Sequence, residues 1–412
     1  MPNAITQCRI CGNQHLELVL DLGVQHMTGE FPRQPTAAIN SGPLRLVKCL
    51  GEGNCGLLQL QHSYDANEMY GENYGYRSAL NASMVRHLTT KISGHLEQYP
   101  LQPGALVVDI GSNDSTTLQA FPDKNLRLVG VDPTGAKFKQ YYPQHIELIA
   151  DFFSAKILKE RIADAKASLV TSFAMFYDLE DPLSFMKDVH EILEDDGLWL
   201  FEQSYLPSML RMTSYDTVCH EHIEYYAMKQ IVWMADRAGF SLINAELNDI
   251  NGGSFYVIAK KTKKIEHGAR IKEMLQREER AELDTIAPYR AFAERVKASR
   301  IELLSFLQEA HRLGKKTCAL GASTKGNVIL QYCGLNESLV SEVGEVNEEK
   351  FGAYTPGSRL PIVDESETLA RDFDYHLVLP WHFSKFFEQA PHLNGKTLVF
   401  PLPTLRVHHC GV

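Results

Sequence analysis

The chain has no run of about 18 apolar residues, so a membrane-spanning helix is not expected. Positive charge is in the minority: 41 Lys and Arg stand against 51 Asp and Glu, a net charge of −10 with His neutral. A surface that coats nucleic acid would be basic, so no nucleic-acid partner is expected. A small phosphorylated ligand remains compatible, because a few placed donors suffice for it. Cysteine is sparse, with 8 residues in 412, too few for a disulfide scaffold in a chain of this length. The first twenty residues lack a basic segment followed by an apolar one, which leads us to expect a mature cytoplasmic protein. There is no internal repeat and no low-complexity segment.

What is present suits a large globular protein. The composition is 44% apolar, and the length predicts two or three domains. Three blocks are expected. Residues 1–80 are loop-rich and hold four of the cysteines. Residues 81–262 alternate apolar runs with amphipathic stretches: LVVDI (106–110), LRLVGV (126–131), ASLVTSF (167–173) and GLWLFEQ (197–203) read as buried parallel strands, 181–197 as a helix closing on Gly, and 252–261 as a late strand. Residues 263–412 open with a charged helical linker at 265–313. A second α/β block follows, with KTCALGAST (316–324), SLVSEVGEV (338–346), YHLVLPW (375–381) and KTLVFPLP (396–403). The predicted class is α/β, with a doubly wound central domain.

Asp109-Ile110-Gly111 ends a strand before a polar turn and a helix. Gly111 lets a ligand approach the backbone, and the helix start offers free N–H groups. Asp132, followed by Pro133, ends the next strand 23 residues later, where an acid can accept both ribose hydroxyls of an adenosine cofactor. Around Gly111 stand Ser112, Asn113 and Ser115 rather than further glycines. The G-x-G-x-x-G cradle for a pyrophosphate is therefore missing, and NAD is disfavoured. Asp151-Phe152-Phe153 supplies an acid and rings able to hold an adenine. An ordinary strand–turn–helix without ligand has the same turn, but the two later acids in register favour a cofactor, S-adenosylmethionine.

Cys8-x2-Cys11 and Cys49-x5-Cys55 form two pairs whose thiolates can close a tetrahedral zinc site. The second spacing is long, so its loop must bulge, and free buried thiols are the alternative. Four protein ligands leave no open position, so the zinc would be structural. The run 213–226 packs Asp216, Cys219, His220, Glu221, His222, Glu224, Tyr225 and Tyr226 together. Histidine beside carboxylates suits proton transfer near neutral pH. A hydrogen-bonded network at a domain edge is the bland alternative. The HExxH spacing of a helical metal site is absent.

Together the paired cysteines, DIGSND, DFF, the Glu221-His222 run and GASTKGN (321–327) resemble the nucleotide-sugar C-methyltransferases, over nearly the whole chain and in the same order. That family methylates C-3 of 4-keto-6-deoxyhexoses. The resemblance implies a zinc-binding N-terminal lobe, a class I methyltransferase domain and a C-terminal Rossmann-like domain. It implies cofactor contacts from Asp109, Gly111, Asn113, Asp132, Pro133, Asp151, Phe152, Phe153 and Tyr74. It implies a sugar nucleotide held by Ser323, Thr324, Lys325, Asn327, Glu345, Lys350, Pro356 and Trp381, with Lys325 suited to the diphosphate. Tyr76 approaches the reacting centre in this resemblance, and His222, supported by Glu221, is the base that forms an enolate. Cys219 and Tyr177 depart from the family pattern, which has Tyr and His there, and His220 is a candidate to compensate. A thiolate nucleophile at Cys219 is not needed for direct methyl transfer to an enolate.

Three other readings compete: an O- or N-methyltransferase on the same scaffold, a zinc-ribbon nucleic-acid binder with a vestigial methyltransferase domain, and a non-catalytic sugar-nucleotide binder. A monomer or small homo-oligomer is expected, and neither GDP nor dTDP is favoured as the nucleotide.

Overall fold

The computed structural model describes residues 3–65, 69–70, 76–162 and 166–411. The first block is less loop-rich than expected. Strands β1 (Leu16–His26), β2 (Ser41–Cys49) and β3 (Leu58–Leu60) form an antiparallel sheet. Leu20, Leu22, Leu44, Leu46, Leu58 and Leu60 are buried in one cluster, an apolar face that the alternation along the strands provides.

Helix α1 (Ala82–Gln98) opens the central domain, with the Asn81 side chain accepting from the amides of Ser83 and Met84. The sheet then takes β4 (Leu106–Ile110), β5 (Arg127–Val131), β6 (Ile146–Ile149), α2 (Ala155–Arg161), β7 (Ala167–Phe173), α3 (Pro182–Ile192) and β8 (Leu193–Ser204). Helix α4 (Leu206–Met212) and a two-residue strand β9 (Glu224–Tyr225) follow. Helix α5 (Met228–Ala238), β10 (Phe240–Asn248) and β11 (Ser254–Lys261) complete the domain. The order across the seven-stranded sheet is β10-β11-β8-β7-β4-β5-β6. Strands β4 to β8 run parallel and β11 is antiparallel to β8. Strand β4 lies at the point where the winding reverses, so ligands are expected at its C-terminal end.

Two expectations are corrected here. The helix over 181–197 stops at Ile192, and strand β8 starts at Leu193. Its Glu-Asp-Asp-Gly segment is a bulge, with Asp196 at φ 65°. Three successive acids at 194–196 would repel the negative end of the helix dipole. The linker over 265–313 is two helices, α6 (Ala269–Arg280) and α7 (Ala287–Arg312). The second begins with Pro288 in its first turn, where a missing N–H costs nothing.

The C-terminal block comprises β12 (Thr317–Leu320), α8 (Thr324–Tyr332), β13 (Val343–Glu345), β14 (Ile362–Asp364), β15 (Tyr375–Val378), β16 (Thr397–Phe400) and β17 (Arg406–His409). The strand expected over 338–346 is confined to its last residues. The order β14-β13-β12-β15-β16-β17 is parallel until the last strand. It places a second winding reversal between β12 and β15, and the GASTKGN turn leaves β12 at that point. No helix among the described residues is long and apolar enough to cross a membrane.

The apolar face of the first sheet packs in one cluster with α7 and the C-terminal sheet. The cysteine cluster instead packs with one face of the central sheet. The N-terminal block is thereby wedged between the other two, and strand β9 from the His-Glu-His run becomes the fourth strand of its sheet, pairing with β3.

Candidate active site

The four thiols of Cys8, Cys11, Cys49 and Cys55 lie within 4.8 Å of one another, with Cys8–Cys55 at 3.4 Å and Cys11–Cys49 at 3.6 Å. A disulfide needs about 2.05 Å, and all four are free. The spacing suits the edges of a sulfur tetrahedron around zinc, for which Zn–S is about 2.3 Å. All four positions are taken by protein, so the site is structural.

At the C-terminal end of β4, Asp109 is buried and Oδ1 accepts from Thr171 Oγ1 at 2.5 Å. Its Oδ2 is buried with no hydrogen-bond partner. Burial pushes this carboxyl up to about 7, against the Thr171 hydrogen bond that lowers it. A buried acceptor of this kind fits the cationic part of S-adenosylmethionine. Gly111 has φ 73°, and a Cβ there would stand 2.9 Å from Cγ of Met175, so only glycine gives this turn its course. Asp132 accepts from the Asn113 amide at 2.7 Å and from the Thr134 amide at 2.7 Å, which fixes the carboxylate at the end of β5, ahead of Pro133. Asp151 and Phe152 are exposed beyond β6, whereas the Phe153 ring packs on Phe185 at 5.3 Å. Phe152, not Phe153, therefore presents a free ring. Asn113 spends its side chain on the protein: its amide nitrogen donates to the Tyr76 carbonyl and its oxygen accepts from the Ser78 amide, both at 3.1 Å. The glycine turn thus holds the 76–79 segment down over itself. Tyr74 lies outside the described residues.

A cavity of about 790 Å³ lies where the three blocks meet. Its walls include Gly29, Phe31, Tyr76 and Arg77 from the first block, the start of α1 from the second, and Ser323, Thr324, Glu345 and Lys350 from the third. Glu221 forms part of the same wall. The N-termini of α1 and α8 both open on this space, and such termini favour anions. The Glu345 carboxylate accepts from the amides of Ala322, Val346 and Asn347, and Lys350 donates to the Ala322 carbonyl at 2.7 Å. These bonds stiffen the turn after β12.

Four residues expected to touch the sugar nucleotide stand behind that wall. The Asn327 amide donates to Thr28 O at 2.7 Å, tying α8 to the first block. Pro356 is buried in its turn. Trp381 Nε1 donates to Asp216 Oδ2 at 2.9 Å. Lys325 donates to the Asn251 carbonyl at 3.0 Å and turns inward rather than toward a diphosphate.

His222 neighbours Glu221 but faces another way. It borders a small space with Tyr177, Ser204, Thr217 and Glu224, at the ends of β7 and β8. Nδ1 stands 3.0 Å from Thr217 O. A carbonyl only accepts, so Nδ1 carries the proton and Nε2 keeps the lone pair. The Tyr177 ring meets it edge-on at 4.4 Å. Burial, then the Lys325 charge, depresses His222 to about 3, so its imidazole is neutral. Burial raises Glu221 above the usual carboxylate range, opposed by hydrogen bonds from its own amide, Cys219 and Thr28.

His220 does not compensate for the missing family residues. It stacks edge-on against Tyr64 at 4.8 Å with Nε2 3.4 Å from Gly42 O, on the side of the N-terminal sheet. Next to Glu221 in sequence, it projects away from the cavity. Cys219 is fully buried, and burial holds its thiol well above the usual range, which leaves no thiolate nucleophile. Sequence reasoning missed Gly29, Phe31 and Arg77. None has a local motif, and only the meeting of three blocks brings them to the site.

Comparison with known proteins follows the same three blocks. Residues 8–70 match a zinc binding domain family, 84–245 a methyltransferase domain family, and 249–403 the C-methyltransferase C-terminal domain family. The chain is 27% identical to the C-methyltransferase NovU of Streptomyces niveus, over 98% of this chain and 97% of that protein. Among solved structures, a chain of the Haloferax volcanii complex between the Trm112 activator and a methyltransferase aligns at 13% identity. It covers 44% of this chain and 95% of its own, with a TM-score of 0.36. The N-methyltransferase NodS of Bradyrhizobium japonicum, solved with S-adenosyl-l-homocysteine, aligns at 12% identity over 44% of this chain and 88% of its own, with a TM-score of 0.32. With its four-cysteine zinc lobe, class I methyltransferase sheet and matching C-terminal domain, the chain is an S-adenosylmethionine-dependent C-methyltransferase.

Proposed function

We propose that this enzyme methylates C-3 of a GDP- or dTDP-linked 4-keto-6-deoxyhexose, as a step in making a branched deoxysugar. The observation that carries this reading is the divergence of two adjacent residues. Glu221 opens on the cavity of about 790 Å³, and His222 faces the ends of β7 and β8, in the same sheet whose strand β4 carries the cofactor turn. An acceptor carbon held between them meets a base on one side and a methyl donor on the other.

Two helix N-termini with Arg86 and Lys350 nearby suit the diphosphate. Tyr76 and Glu221 are then left for the sugar. Asp109, the Gly111 turn, Asp132 and Phe152 would hold S-adenosylmethionine, which supplies an electrophilic methyl. The C-4 ketone acidifies the C-3 proton. His222 Nε2 takes that proton, and the C–H electron pair becomes the enolate. C-3 then forms its bond to the methyl group as the methyl–sulfur bond breaks and the ketone is restored. Thr217 keeps the His222 tautomer in place throughout.

In this reading residues 1–80 form the zinc lobe, 81–262 the methyltransferase domain and 263–412 a domain that contributes to sugar-nucleotide binding. Reduced cysteines able to hold zinc suit a cytoplasmic enzyme. The test is deuterium exchange at C-3 of the keto sugar in D2O without methyl donor. Wild-type exchange that disappears in His222→Ala supports the reading. Methylation of a sugar oxygen or nitrogen, with no exchange at C-3, overturns it.

A further inference from the structure

We propose that the nucleotide this enzyme takes is guanosine diphosphate, and that Glu365 reads the guanine through its N1–H and exocyclic amine. The assignment rests on the reading above, which leaves GDP and dTDP open. Gly29 fixes the order of the subsites. A Cβ built there would stand 2.7 Å from Oε1 of Glu221 and 4.0 Å from Oγ1 of Thr324. Thr324 opens α8, so the helix terminus suited to the diphosphate lies beside the carboxylate suited to the sugar. From there the cavity continues along a wall supplied by the C-terminal domain alone: Val346, Glu365, Phe386, Phe387 and His392. These residues follow the C-terminal ends of β13, β14 and β15, where a parallel sheet places its ligands.

That wall combines bare apolar surface with one acid. Val346 is 74% exposed and Phe386 65%. The Phe386 ring is propped edge-on by Phe387 at 5.6 Å and 87°. Large apolar groups left open at a cavity wall form a platform for a flat heteroaromatic ring. The Cα of Glu365 stands 3.2 Å from where a Cβ on Gly344 would be, which sets the residue against the end of β13. Its side chain is 14% exposed, and among the described residues its ion-pair partner is Nε2 of His392, 3.5 Å from Oε1. Oε2 is left for a ligand, and the His392 contact is long enough to share Oε1. Burial raises this carboxyl, and the His392 charge works against the rise. A ligand that brings N–H donors would hold the charged form further.

The chemistry of the bases then decides between them. A carboxylate only accepts. Guanine sets N1–H and an amine side by side, and both can donate to the two oxygens of Glu365. Thymine offers a single N3–H between two carbonyl oxygens, so a carboxylate oxygen would face a carbonyl. Adenine offers its amine beside a ring nitrogen that only accepts. The wall therefore favours guanine and works against the other two.

Calorimetric titration of the zinc-loaded protein with GDP, IDP, ADP and dTDP tests this without any methyl transfer. Wild type should bind GDP about 10²-fold more tightly than dTDP or ADP. IDP keeps N1–H but lacks the amine, and should fall about tenfold below GDP. Glu365→Gln presents one donor and one acceptor, an arrangement that suits thymine, so GDP should weaken by about tenfold or more while dTDP holds or gains. Phe386→Ala should weaken GDP, IDP and dTDP alike by about tenfold, because stacking is indifferent to the base. Wild-type affinity for S-adenosylmethionine in both variants shows that the fold is intact. Equal wild-type affinity for GDP and for dTDP or ADP, or a Glu365→Gln variant that keeps the wild-type ratio, would overturn the proposal. Selective GDP binding with no methylation of any GDP-linked keto sugar would leave this assignment standing and sink the functional reading. Failure of every nucleotide to bind would sink both.

Discussion

A Cβ placed on Gly29 would stand 2.7 Å from Oε1 of Glu221. The first block thus reaches into the site and sets where the cavity-facing carboxylate can lie. Gly29 does not occupy the left-handed region, so alanine is allowed by the backbone and would act through the carboxylate alone. Gly29→Ala should lower kcat/KM by about 10²-fold, the scale of a displacement near 1 Å. The melting temperature should barely move. Steady-state kinetics with a parallel melt decides it, and wild-type kinetics in a folded variant would count against the contact.

The zinc lobe braces the 219–225 segment and the start of α5 directly. Leu60 donates to the Ile223 carbonyl at 2.8 Å, and Gln230 donates to the Cys55 carbonyl at 2.7 Å. Stripping zinc should therefore loosen residues 219–225 while leaving the cofactor turn in place. We expect methyl transfer to fall below about a tenth, since small metal lobes lose their fold without the ion, while S-adenosylmethionine still binds. Calorimetric titration of chelated protein, with hydrogen exchange over 219–225, reads both. Protection of that segment unchanged by zinc removal would refute the coupling.

Glu224 is buried, hydrogen-bonded by Tyr226, and pushed up to about 8 chiefly by burial. A raised carboxyl binds its proton more tightly folded than unfolded. Its stabilising effect is complete below about 4.5 and is lost as pH rises through about 8. Within that window this group alone should cost about 1.4 kcal/mol per pH unit. Glu224→Gln has no proton to lose. Denaturation curves at several pH values should show the variant gaining on wild type toward alkaline pH; parallel curves would exclude the effect.

With His222 held at about 3 by burial and Lys325, the imidazole is the free base across the ordinary working range. The pH profile of kcat/KM should lack an acid limb near 6.5 from this group, because a depressed histidine protonates only in stronger acid. His222→Ala should lose about 10²–10⁴-fold with cofactor binding retained. A limb near 6.5 that vanishes in the variant would show a histidine titrating normally.

Much of this was local and hence legible. Strand β4, the Gly111 turn and Asp132 declare themselves through an apolar run, a glycine and an acid at fixed spacing. The four cysteines do so by residue type, despite the long gap between Cys49 and Cys55. Orientation was not legible. His220, Glu221 and His222 are consecutive, yet the first faces the N-terminal sheet, the second the cavity and the third the strand ends. That divergence depends on β9 joining a sheet more than 150 residues earlier in the chain. Lys325 lies in a glycine-rich turn suited to phosphate, but its long side chain leaves the turn for Asn251 in another domain. Gly29 carries no motif at all, and its meaning appears only with Glu221 against it.

The central claim is best tested by mass spectrometry of GDP- and dTDP-linked 4-keto-6-deoxyhexoses after incubation with enzyme and S-adenosylmethionine. The account predicts that one member of the panel gains a single methyl group, located at C-3. No gain on any member, or a methyl group carried on oxygen or nitrogen, would contradict it.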